Sequence, residues 1–123
     1  MRYILVSFTL LITFFASLTS LYGAEHFGIQ VYAGARLDQE ETAFVRKNIS
    51  PDGYFYRTKD SVEKVIAFYE NQPGLTSLGH DKNGGRFIKE KGGQTVYIII
   101  DSPWQPTKGG EVSQDTKIVI VKE

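Results

Sequence analysis

One extended segment constrains this fold more than any other. In residues 95–101, Val96, Ile98 and Ile100 fall on one side of the chain and Tyr97 and Ile99 on the other. A strand with one wet face alternates apolar and polar residues. This one is apolar on both faces, so it belongs inside a sheet, with strands on either side of it. Candidate neighbours flank it. Residues 86–90 read as one strand and residues 116–122 as another, and the tight turn Lys91-Gly92-Gly93 favours antiparallel pairing. The aromatic-rich residues 54–58 read as a fourth strand.

Two helices precede and interrupt these strands. Asp38 is a cap residue with Glu41 three positions later, and Ala43, Phe44 and Val45 give the following helix an apolar side. Ser50-Pro51-Asp52-Gly53 ends it in a turn. In residues 61–71, Val62, Val65, Ile66 and Tyr69 recur at helical spacing. Asp60 is the expected cap, Glu63 its partner, and Pro73-Gly74 the stop. Residues 26–35 read as an extended entry. The polar stretch around Ser77 and His80-Asp81 reads as a loop. The expected fold class is α+β: an antiparallel sheet of about four strands, one main amphipathic helix packed on it, and a short N-terminal helix.

The start of the chain predicts export. Arg2 is followed by an uncharged, largely apolar run that ends in the small residues Gly23-Ala24, just before Glu25. A basic start, an apolar stretch and a small-residue cleavage zone make a secretory signal peptide. Residues 1–24 are read as that signal, and residues 25–123 as one domain acting in the periplasm or outside the cell. An uncleaved anchor is the rival reading; the hydroxyl residues in the run and the lack of a following basic cluster count against it.

The chain has no cysteine, so no disulfide supports the fold and no lipid can be attached through a cysteine at the cleavage site. Removing Arg2 from 14 basic residues leaves 13 against 14 acidic ones, a formal charge of −1. That balance offers no electrostatic case for binding nucleic acid or an anionic membrane surface. Membrane contact is expected only through an uncleaved signal segment.

Signatures of chemistry are weak. His26 and His80 are the only histidines, and Ser77 beside His80-Asp81 does not make a triad. No second histidine sits at metal-ligand spacing, and no calcium loop pattern occurs. The glycine pairs at 84–85, 92–93 and 109–110 precede strands or loops rather than helices, so they read as turns and not phosphate cradles. No metal and no cofactor is expected. Residues 102–115 form the one long connection between strands, with Trp104 between Pro103 and Pro106. Trp104 reads either as a contact for a ligand or partner, with Tyr97 and His80 lining the same cavity, or as a plug over an open end of the sheet.

Val31-Tyr32-Ala33-Gly34-Ala35 and the junction from Tyr56-Arg57-Thr58-Lys59-Asp60-Ser61 to Ala67-Phe68-Tyr69 resemble a pattern in small exported bacterial proteins. That family shows a V-Y-P-G-A entry, a Y-x-T-x-D-S-x-E-x-V-x-x-F-Y strand-to-helix junction, and a closing strand like residues 115–120. Ala33 stands where the pattern has proline. The resemblance implies an α+β fold and export; no catalytic or binding residue comes with it. The expected role is a non-enzymatic binding or accessory module for a protein or an apolar small molecule. A hydrolase-like enzyme with its site near the Trp104 loop, or a subunit of an envelope assembly, is the alternative.

Overall fold

The computed structural model describes residues 24–123; the expected signal peptide lies outside the described residues except for Ala24. The chain divides into two units. In the first, β1 (Glu25–His26) pairs antiparallel with β2 (Ile29–Gln30), and the Phe27-Gly28 turn has positive φ at both residues (57° and 77°). That is the turn geometry whose twist matches a two-residue hairpin.

The second unit, from Gly34 to Glu123, holds β3 (Arg36–Leu37), α1 (Gln39–Asn48), β4 (Gly53–Thr58), α2 (Val62–Glu70), β5 (Thr76–Asp81), β6 (Gly84–Lys91), β7 (Gln94–Asp101) and β8 (Thr116–Lys122). Its six strands make one antiparallel sheet in the order β3-β4-β8-β7-β6-β5. The α+β expectation of about four strands is thereby corrected. The described chain is mostly β, with eight strands in two antiparallel sheets and only two short helices.

The two-faced strand sits where its composition requires. β7 lies between β8 and β6, with Ile98 opposite both Ile120 and Phe87, and Ile100 opposite Ile118 and Gly85. On this side of the sheet α2 lays down Val62, Val65, Ile66 and Tyr69, all buried, and the Tyr69 ring meets Phe87 at 6.1 Å. On the other side Phe55, Val119 and Val121 cluster with Val45 of α1 and with Trp104, and Tyr97 and Ile99 pack partly against them. β7 and β8 are apolar on both faces because each face has its own cover.

The strands that sequence reading missed are those with little to bury. Every residue of β5 is exposed, so Thr76–Asp81 shows no apolar alternation and resembles a polar loop. Its pairing comes instead from the two-residue Lys82-Asn83 connection to β6. β3 is only two residues long.

Both caps were expected, but only one lies where predicted. Asp38 Oδ1 accepts from the Glu41 amide at 3.0 Å. At α2 the cap is Ser61, whose Oγ accepts from the Lys64 amide at 3.3 Å, and not Asp60. The Asp60 carbonyl is held by Thr116 Oγ1 at 2.7 Å, which fixes that residue against β8 and moves the helix start on by one.

Ile66 is 4% exposed, so Ile66→Ala should cost about 2–5 kcal/mol. The Ser61 bond is long and exposed, so Ser61→Ala should cost roughly 0.5–1 kcal/mol. Denaturant titration of each variant checks both values, and the Ile66 change must prove the larger.

Candidate functional site

Trp104 is 5% exposed and belongs to the core. Its indole meets the Phe55 ring edge-on at 4.9 Å. The backbones of Trp104 and Ser113 exchange two hydrogen bonds, at 3.1 and 2.8 Å, which fold the 102–115 connection back on itself. Trp104 thus fills part of the apolar cluster on one face of the sheet.

A charged cluster that sequence reading missed surrounds the indole. Trp104 Nε1 donates to Asp115 Oδ1 at 2.9 Å, and Ser113 Oγ donates to the same oxygen. Arg57, next to the end of β4, lies over the indole at 5.0 Å. Its Nε donates to Asp115 Oδ2 at 2.7 Å, one terminal nitrogen to Asp38 Oδ2 at 3.2 Å, and the other to Ser113 Oγ at 3.2 Å. Asp38 thus caps α1 with one oxygen and holds Arg57 with the other. Nearby, the buried Glu41 carboxylate accepts from the Thr107 amide at 2.8 Å and from its hydroxyl at 2.6 Å; it does not reach back to its own helix start.

Two titrations reflect this arrangement. Burial opposes the Asp115 carboxylate, but hydrogen bonds from Ser113, Arg57 and Trp104 and the Arg57 charge outweigh it and hold its pKa below the ordinary value. The hydrogen bond to Asp115 raises Arg57 in turn, against a smaller effect of burial. The only sequence signals were an arginine inside an aromatic strand and an aspartate at the end of a Trp-bearing loop. Neither says that the two meet.

Tyr97 lies on the same side of the sheet as Trp104, and its hydroxyl donates to Glu123 Oε2 at 3.3 Å. The nearby Glu123 charge raises the Tyr97 pKa. His80 is elsewhere: on β5, toward the α2 side, with Nε2 2.7 Å from Glu70 Oε1. Trp104 and Tyr97 share one side of the sheet, and His80 stands apart from both.

His80 borders two clefts. One, of about 450 Å³, runs between β5, β6 and Asp101. Arg86 lines it, but its guanidinium is already engaged by Asp101 at 3.1 and 3.3 Å and by the carbonyls of Gly85 and Ile100. The other, of about 310 Å³, lies between α2 and β5 and is bordered by Glu63, Ile66, Ala67, Glu70, His80, Asp81 and Lys82. Among the described residues no three His, Cys, Asp or Glu side chains form a group able to hold a metal ion. Among the same residues no helix is long and apolar enough to cross a membrane. Comparison of the chain with protein-family models, curated proteins and solved structures finds no match.

Trp104→Ala should cost about 3–5 kcal/mol, because it empties the centre of an apolar cluster. Asp115→Asn should cost about 1.5–3 kcal/mol near neutral pH, where hydrogen bonds to a charged group are lost. Because the folded pKa of Asp115 is lowered, its stabilisation is complete above the unfolded value of about 3.8 and fades as pH falls through the folded one. The stability difference between the parent and Asp115→Asn should therefore shrink below about pH 3.8 in urea titrations run across the acid range.

Proposed function

We propose that this protein is an exported, non-enzymatic binding or accessory module, and that its contact surface is the β5 end of the six-stranded sheet. One observation carries the reading. β5 is a six-residue edge strand with every residue exposed, Leu78 among them at 58%. An edge strand turns a row of backbone N–H and C=O groups outward, a template for another chain. The charged groups that a catalytic reading would need near Trp104 are engaged with one another: Arg57 with Asp38 and Asp115, and Asp115 with Trp104 and Ser113. Their arrangement serves to fasten a loop. Export rests on the basic, then apolar, then small-residue layout of the first 24 residues.

The test uses a photo-crosslinking side chain placed at Leu78 or, separately, at Val112, an exposed apolar residue of the 102–115 connection. Irradiation of cells that make the full chain should give discrete adducts from position 78 and none from position 112. Discrete adducts from both positions, or from neither, would remove β5 as the contact surface. Mass spectrometry of the envelope protein should find a chain beginning near Glu25.

A further inference from the structure

We propose that β5 takes up a basic peptide segment as an added antiparallel or parallel strand, with the acidic stripe of α2 reading its side chains. The inference rests on the reading of β5 as the contact surface and adds the chemistry of the partner. At the His80–Asp81 end of β5 lies the cleft of about 310 Å³, and its α2 wall is a single helical stripe: Glu63, Ile66, Ala67 and Glu70, at i, i+3, i+4 and i+7. The stripe is acidic at both ends and apolar in the middle. Asp81 adds a third carboxylate on the β5 side, against one cation, Lys82.

The geometry matches an extended chain. Seven helical residues place Glu63 and Glu70 about 10 Å apart along the axis. Side chains on one face of a strand repeat every second residue, so positions i and i+4 stand about 13 Å apart. Lysine side chains reach over that difference. A strand with lysine at i and i+4 and a small apolar residue at i+2 would set its cations against Glu63 and Glu70 and its apolar residue over Ala67, the exposed apolar residue between them; Ile66 beneath is buried. His80 already contacts Glu70 through Nε2, so the Glu70 end is shared and the Glu63 end is open to the newcomer.

A second copy of this chain fits less well. Pairing β5 with its own copy would bring two acidic stripes to one side of a continuous sheet, a like-charge juxtaposition that suppresses association. The edge also carries a restriction on register. β5 has a bulge between Ser77 and Gly79, Gly79 has φ of 118°, and Ser77 Oγ takes the Gly79 amide at 3.2 Å. A bulge interrupts pairing on a strand, so an incoming strand has to align on either side of it rather than slide along the edge.

The probe is a labelled peptide, Thr-Lys-Thr-Val-Thr-Lys-Thr, titrated by fluorescence anisotropy against the full chain. The controls are the same peptide with glutamate for lysine and one with proline for both central threonines. The basic peptide should bind, the acidic and proline peptides should not, and β5 amides should gain protection from hydrogen exchange. Glu63→Lys with Glu70→Lys should weaken binding roughly fivefold or more, as reversal of two exposed charge contacts predicts. Binding that survives the double reversal, tolerates proline, or leaves β5 exchange unchanged overturns the proposal. No binding of the basic peptide overturns it too. If crosslinking at position 78 persists in either case, only the partner's chemistry is wrong; if it fails as well, the reading of β5 as a contact surface falls with it.

Discussion

The pairing of β7 with β8 is the constraint on which the rest of this structure depends. Both strands are apolar on both faces, so each side of the sheet needs a cover. The chain has no cysteine, and no disulfide substitutes for burial. One cover is simple: α2 brings an apolar stripe of regular spacing down on the β6 and β7 part of the sheet, where Tyr69 meets Phe87. The second is composite. α1 contributes Val45 as its buried apolar side chain, and the gap beside it is filled by Trp104, delivered from a loop.

A loop is a poor lid unless something fixes it, because each ordered residue loses about 1–2 kcal/mol of backbone entropy. The 102–115 connection is fixed by polar groups converging from three directions. Arg57 comes from β4, Asp38 from the start of α1, and Asp115 from the foot of β8. Glu41 adds a second tie at Thr107. The same aspartate that caps α1 orients the arginine that lies over the indole, so helix start, strand and loop are positioned together. Such partly buried ion pairs add little net stability by themselves, but removing one partner leaves the other without its bonds. The cluster serves to specify the position of Trp104.

Whatever the sequence made readable followed from periodicity. Val62, Val65, Ile66 and Tyr69 marked α2, and the alternation in residues 95–101 marked β7, because burial leaves a repeating pattern on the elements that do the burying. Elements that bury nothing left no such trace. Thr76–Asp81 reads as a polar loop because neither face meets a core, yet the ladder to β6 makes it a strand. Together with the two-residue strands β1, β2 and β3, that difference separates a four-stranded α+β reading from the mostly β fold observed. The contact between Arg57 and Asp115 spans 58 positions and has no local signature. Of the three expected site residues, Trp104 and Tyr97 share a side of the sheet because Tyr97 points from β7 toward the cluster that Trp104 completes, whereas His80 belongs to a strand that sequence reading did not find.

The invisibility of β5 in the sequence and its exposure in the fold have one cause. An interior strand needs side chains that suit two covered faces; an edge strand needs only a backbone able to pair on one side. Edges are commonly protected by lysine, proline or a bulge, and β5 has the last of these while carrying no lysine or proline within Thr76–Asp81. The other end of the sheet is treated differently: β3 is cut to two residues, too short to template a partner. One end is thus closed by brevity. The other stays six residues long and exposed, interrupted only by the bulge, beside a helix whose nearer stripe carries carboxylates. On the proposed reading, that exposed end, and not the buried tryptophan, is where a partner should be sought.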